Sequence, residues 1–204
     1  MNKFEQDLLK DNQPIEYLAG TDEAGRGCLA GPLVVGAVIL PRDYHNPAIK
    51  DSKKLSEKKR LELYDEIINV AISYQIIVMS VKEVEDLNPK RASIVGMERA
   101  ISRLSVKPDL ILTDAEKIDA KFNYIAIIDG DNLSQTIGAA SILAKVYRDN
   151  LMQEYHQQFP QYHFDQNKGY GTKHHLAMLK EHGYTAIHRK TYQPIKTMVA
   201  ENLE

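Results

Sequence analysis

Apolar and β-branched residues gather in five short runs with polar borders, near 15–22, 33–40, 73–81, 109–113 and 123–128, and each run predicts a β-strand. Elsewhere the apolar positions recur at steps of three and four. Leu61, Tyr64, Ile67, Ile68 and Ala71 form one such stripe and predict a helix starting near Ser56. A second helix is expected from about 90 to 104, after Pro89. The longest, from about 133 to 158, carries Ile137, Ala140, Ala144, Tyr147, Leu151 and Tyr155 on its buried face and stops before Pro160. A strand-rich first half followed by strands alternating with helices predicts an α/β mixed sheet with helices packed on it. Residues 160–204 hold Pro160, Gly169, Gly171, Gly183 and Pro194 among short helical segments. They read as a C-terminal helical cap over a cleft, packed on the same domain as a core formed by residues 1–159.

Composition narrows the function classes. A chain of 204 residues with 43% hydrophobic positions can bury a core as one compact domain. Its net charge of −2 argues against a generic nucleic-acid coat. The basic residues are nevertheless clustered: Lys53, Lys54, Lys58, Lys59 and Arg60 stand against Glu57 alone between 53 and 60. Five of the seven histidines (His163, His174, His175, His182 and His188) lie beyond residue 160, near Lys168, Lys173, Lys180, Arg189 and Lys190. Local positive patches on a slightly acidic chain suit an enzyme that binds nucleic acid and releases it. The single cysteine, Cys28, excludes an internal disulfide and fits a reducing compartment. With no apolar run long enough to span a membrane and no signal-peptide core, the expected location is cytoplasmic.

The densest chemistry lies in residues 20–32, Gly-Thr-Asp-Glu-Ala-Gly-Arg-Gly-Cys-Leu-Ala-Gly-Pro. Asp22 and Glu23 end an apolar run, and carboxylates at a strand end can hold a hard divalent cation. If the strand continues through them, the two side chains point to opposite faces; a turn at Ala24-Gly25 lets both reach one site. Gly25 and Gly27 let backbone amides approach a ligand, and Arg26 between them offers a fork of donors suited to phosphate. A cation site beside an anion-accepting turn points to metal-assisted cleavage of a phosphodiester. Asp114 ends the run Leu110-Ile111-Leu112-Thr113 and can sit beside Asp22 if the two strands are neighbours. Asp131 precedes the long helix, where a lone carboxylate is as readily a helix cap. Gly25-x-Gly27-x-x-Ala30 formally fits a dinucleotide fingerprint, but Pro32 interrupts the helix that should open there, and Asp22 and Glu23 repel a pyrophosphate. His174-His175 lacks the spacing of a zinc site.

The 20–32 stretch, with the apolar segment 33–40 after it, resembles the first signature of ribonuclease HII. The likeness continues in Asp51-Ser52-Lys53-Lys54-Leu55, in Ala139-Ala140-Ser141-Ile142-Leu143-Ala144-Lys145 with Arg148-Asp149, and in Lys168-Gly169-Tyr170-Gly171-Thr172. These blocks keep the family's order across residues 20–172. The resemblance implies a ribonuclease H-like fold, a mixed five-stranded sheet of three antiparallel strands followed by parallel ones. It implies Asp22, Glu23, Asp114 and Asp131 as the catalytic, metal-binding carboxylates, with Mn²⁺ or Mg²⁺ as cofactor and two ions during catalysis. It also places Gly25, Arg26 and Gly27 at the ribose 2′-hydroxyl, the group that separates RNA from DNA. Tyr170 falls at the RNA–DNA junction, and Lys53, Lys54, Lys145, Arg148 and Lys168 along the substrate. On the residues alone, Tyr170 reads equally as a loop anchor, and Lys145 and Arg148 as salt-bridge partners. The implied substrates are RNA–DNA hybrids and duplex DNA containing ribonucleotides, cut by a monomer to leave a 3′-hydroxyl and a 5′-phosphate.

Four positions depart from the family's usual pattern. Cys28 replaces a common proline, Ala115 a common glycine, Asn167 a common histidine, and Asp129 a frequent lysine. Two rivals remain at this point. A DNA nuclease of the same fold would cut all-DNA junctions, and a hybrid-binding protein without catalysis would bind in chelator and cut nothing.

Overall fold

A computed structural model describes residues 1–10, 15–49 and 55–201; Lys53 and Lys54 lie outside them. The five expected strands are present as β1 (Leu18–Ala24), β2 (Leu33–Ile39), β3 (Ser73–Met79), β4 (Leu110–Asp114) and β5 (Tyr124–Ile127). They form one sheet in the order β3-β2-β1-β4-β5. β1 pairs antiparallel with β2, and β2 with β3, whereas β4 runs parallel to both β1 and β5.

The helices in chain order are α1 (Lys3–Lys10), α2 (Glu57–Val70), α3 (Val81–Leu87), α4 (Pro89–Ser102), α5 (Gly130–Leu133), α6 (Gln135–Gln158), α7 (Phe164–Asn167), α8 (Lys173–His182) and α9 (Ile195–Glu201). α2 begins where expected because the Ser56 side chain accepts from the Lys59 amide at the helix start. α4 begins at Pro89, with Asn88 as its side-chain cap.

Every residue of β2 is buried because both faces of the sheet are covered. Leu33, Val35, Ala37 and Ile39 pack toward Met97, Ala100 and Ile101 of α4. Val38, on the alternate face, joins Leu63 and Ile67 of α2 and Ala139, Ile142 and Leu143 of α6. α6 comes very close to the sheet centre: a Cβ on Gly36 would sit 2.4 Å from the Ala140 carbonyl oxygen.

Two expected stripes shift. In α2 the inward positions are Leu63 and Ile67, while Leu61 is 43% exposed. In α6 the stripe is as expected through Ala144, then Arg148 and Met152 take the inner positions and Tyr147 turns outward. A buried arginine is invisible to an apolar count, so the pattern ran one residue off.

Beyond α6, Tyr162, Phe164, Leu179, Ile187 and Ile195 pack with Met152, and also with Leu29 and Ala30 after β1. The C-terminal helices thus hold the segment that carries the first signature.

Candidate active site

β1 does not stop at Asp22. It continues through Ala24, with Asp22 opposite Gly36 and Glu23 opposite Val35. Alternation therefore separates the two acids: Asp22 is hydrogen-bonded to Ser141 of α6, and Glu23 lies 3.6 Å from Arg26. The charge of Asp114 acts on both. Thr21 pairs with Thr113 in the parallel β1–β4 ladder, so the next residues, Asp22 and Asp114, emerge together at one end of the sheet.

The electrostatics show how crowded this end is. Asp22 is 5% exposed, and burial raises its carboxyl well above the usual range, with the charges of Glu23 and Asp114 adding to the rise. Glu23 is pushed up to about 7, mainly by burial; Arg26 opposes the rise, and Asp114 and Glu116 reinforce it. Asp131 is buried in the first turn of α5, next to Gly130, whose amide donates to Asp114 Oδ1 at 2.8 Å. Ala115 and Asp129 both sit at positive φ, 55° and 54°, in the left-handed region where glycine is at ease.

This donor set fits a hard divalent cation. Buried carboxylates that raise one another's proton affinity are oxygen donors whose repulsion a cation would relieve. Among the described residues no three His, Cys, Asp or Glu side chains converge tightly enough to make a ready metal cage. Asp22, Glu23 and Asp114 share an electrostatic field, not a closed coordination sphere.

A cavity of about 170 Å³ opens beside these acids, lined by Glu23, Ala24, Gly25, Arg26, Gly27, Ser141, Lys145 and Tyr170. Arg26 donates to Glu116 Oε1 at 2.6 Å. Gly25 adopts φ 90°, and a Cβ there would strike the Arg148 guanidinium. A Cβ on Gly27, by contrast, would meet nothing within 4 Å, so this glycine leaves open space at the cavity wall. Tyr170 is 43% exposed, and its phenol is pushed up to about 12 by burial and by Cys28 beside it. A larger cavity, about 700 Å³, lies near the other end of β4 among Ile101, Lys107, Asp109, Lys121 and Phe122, and none of the four candidate carboxylates lines it.

Other expected substrate contacts are placed differently. Lys145 lines the cavity but is ion-paired to Asp149 at 2.7 Å. Arg148 is fully buried and donates to the carbonyls of Ala30, Pro32 and Lys168, so its donors are engaged inside the protein. Lys168 is half-buried.

Three residues of the site escaped the sequence reading. Glu116 holds Arg26, and its signal was an acid two positions after Asp114. Ser141 lay within a recognised block without being assigned a role. Arg189, fully buried, donates to the carbonyls of Arg26 and Gly31; as one charge in a basic stretch it carried no signal.

The profile of the Ribonuclease HII family matches residues 19–195, a span that includes every part of this site. The chain belongs to the ribonuclease HII family. Family membership carries the general activity, ribonuclease H hydrolysis of RNA in RNA–DNA hybrids. A ribonuclease HII of Mycoplasma mycoides subsp. mycoides is 51% identical over 197 residues, covering 96% of this chain and 95% of that protein. Among solved structures, the ribonuclease H2 of Pyrococcus horikoshii shares the fold with a TM-score of 0.78 at 24% identity, over 92% of this chain and 99% of that one. The Bst ribonuclease HIII in complex with Mn²⁺ matches with a TM-score of 0.65 at 14% identity, over 91% of this chain and 70% of that one. Among the described residues no helix is long and apolar enough to cross a membrane.

Proposed function

We propose that this ribonuclease HII is a metal-dependent endonuclease that cuts the RNA strand of hybrids and also cuts 5′ to ribonucleotides embedded in duplex DNA, leaving a 3′-hydroxyl and a 5′-phosphate. The observation that carries the reading is that Glu23, coupled electrostatically to Asp114 and through it to the buried Asp22, lines one cavity with the Gly25-Arg26-Gly27 turn and Tyr170. The Mn²⁺ complex of the ribonuclease HIII relative supports a divalent ion.

Asp22, Glu23, Asp114 and Asp131 would hold Mn²⁺ or Mg²⁺. The bound metal supplies Lewis acidity and lowers the pKa of an attacking water. Arg26 can exchange its bond to Glu116 for a substrate phosphate, a bidentate acceptor that matches its planar fork. The open side of Gly27 leaves room for a ribose edge carrying a 2′-hydroxyl. Tyr170 presents a neutral ring at the same wall, where it packs on a deoxyribose and disfavours an added hydroxyl. Lys145 and Lys168 border the strand. The biological role is removal of ribonucleotides from DNA in the cytoplasm by a monomer.

The test is gel analysis of a DNA duplex with one ribonucleotide, incubated with Mn²⁺ or Mg²⁺, beside an all-DNA duplex and an Asp22→Asn variant. A cut 5′ to the ribonucleotide that is absent from both controls supports the reading. Cleavage of the all-DNA duplex favours a DNA nuclease, and binding without cleavage a protein that has lost the chemistry.

A further inference from the structure

His175 and His188 are fully buried and belong to neither the carboxylate rim nor the cavity wall. Their Nε2 atoms are 3.0 Å apart, so one must carry a proton and the other must not. The surroundings decide which. The Thr185 amide donates to His188 Nδ1 at 3.0 Å, which makes that nitrogen an acceptor. A neutral His188 therefore holds its proton on Nε2 and donates it toward His175. His175 must then hold its own proton on Nδ1, which lies 2.9 Å from the carbonyl oxygen of Tyr170. Donation runs in one direction, from Thr185 through both rings to the backbone of Tyr170.

We propose that His188 and His175 form a neutral relay with fixed tautomers that positions Tyr170 for recognition of the RNA–DNA junction. The proposal rests on the nuclease reading above and assigns both histidines as positioning residues. The rings of Tyr162 and Phe164 enclose the pair, with centroids 4.9–6.0 Å from the imidazoles. A proton added to His175 would set two N–H groups against each other, and one added to His188 would do the same at the Thr185 amide. Burial disfavours the charged form of each ring in the same sense. The Thr172 amide also donates to the Tyr170 carbonyl, at 2.8 Å. Arg148 holds the neighbouring Lys168 carbonyl and lies 6.0 Å from the Tyr170 ring. The backbone is thus anchored while the ring stays free to meet a substrate.

The experiment has two arms. The ¹H–¹⁵N spectrum of the imidazoles at pH 7 is expected to show His175 protonated on Nδ1 and His188 on Nε2, both neutral. Cleavage kinetics then compare His175→Phe, which removes the donor, with His175→Asn, whose amide can replace Nδ1–H. The phenylalanine variant should raise the KM for a single-ribonucleotide junction roughly tenfold more than it changes kcat, through misplacement of Tyr170. The asparagine variant should recover most of that loss. The opposite tautomers, or a folded His175→Phe with unchanged KM, would overturn the relay. If the unaltered protein cuts nothing, the nuclease reading falls, and the tautomer spectrum still decides the relay.

Discussion

Thr21 of β1 stands opposite Thr113 of β4 in parallel register. That pairing puts Asp22 and Asp114, 92 positions apart in sequence, at one end of the sheet. A slip of one residue would turn one of them to the other face. The acidic site is therefore a product of strand register as much as of residue type.

Asp22→Asn should abolish cleavage, lowering kcat at least about a thousandfold, the scale of losing one strong electrostatic group. The same change removes a buried charge that its neighbours repel. The variant should melt higher than the unaltered protein in chelator, by about 2–4 °C for each kcal/mol relieved. Calorimetry in EDTA beside the cleavage assay checks both; a variant that melts lower would speak against the repulsion.

Mn²⁺ should raise the melting temperature more at pH 8 than at pH 5.5. The folded-state affinity of Glu23 for a proton is raised to about 7 from 4.5, so the folded chain keeps a proton that the unfolded chain has lost. Rising pH through that window subtracts stability, and a cation restores it where the proton is gone. At a concentration one hundred times its dissociation constant, metal adds about 2.7 kcal/mol. Equal shifts at both pH values would argue against these carboxylates as ligands.

His188 acts in the opposite direction. Burial, with the charge of His175, depresses its folded-state value to about 3 from 6.5. Below pH 6.5 the unfolded chain takes up a proton that the folded chain refuses, so stability is complete above that pH and drains away toward pH 3. This group alone should cost about 2 kcal/mol between pH 7 and pH 5. Glu23 contributes a slope of opposite sign over the same window, so the His188 effect is read as a difference: urea melts at the two pH values should show the unaltered protein losing about 2 kcal/mol more than His188→Gln on going from pH 7 to pH 5.

Gly25→Ala and Gly27→Ala should separate folding from binding. At Gly25 the backbone is left-handed and Arg148 blocks a methyl group, so the change should destabilise by about 3 kcal/mol or more. At Gly27 a methyl meets no protein atom, so stability should hold within about 0.5 kcal/mol. Substrate affinity should nevertheless fall about tenfold, or about 1.4 kcal/mol. Denaturant melts and KM values for both variants decide this; a Gly27→Ala enzyme with unchanged KM would remove Gly27 from the substrate wall.

Asp129→Lys should lower the KM or the metal requirement, because it shifts the charge by two units two positions from the candidate metal ligand Asp131. The residue sits at φ 54°, which aspartate tolerates better than lysine does. Asp129→Asn is the cleaner comparison, since it removes the charge and keeps the backbone preference. No change in KM or metal optimum for either variant would dismiss the effect.

The five strands were legible because their runs are short, apolar and bounded by polar residues. The long helix was legible because its steps of three and four hold for the first three turns. α1 and α3 passed unread: Lys3–Lys10 is mostly polar, and α3 follows β3 almost without a break. The candidate carboxylates were legible as residue types, but the side each one faces was not. Continuation of β1 through Ala24 depends on pairing with β2, a tertiary fact. Arg148, left open between a substrate contact and a salt-bridge partner, and Arg189, which was missed, were hard to place for one reason. Burying a charge is costly unless its donors are satisfied, and carbonyl partners leave no trace in side-chain sequence.

Those two arginines, with the amides of Leu29, Gly31 and Arg189, grip the 26–32 turn through its main chain. Such a grip cannot read the letters it holds. The side chains of Cys28, Leu29 and Ala30 are constrained separately, by their own burial. A designer seeking altered sugar preference would find the scaffold secured from more than a hundred residues away but few free positions on it, since Gly31 is left-handed with Met152 Sδ 2.4 Å from where a Cβ would sit.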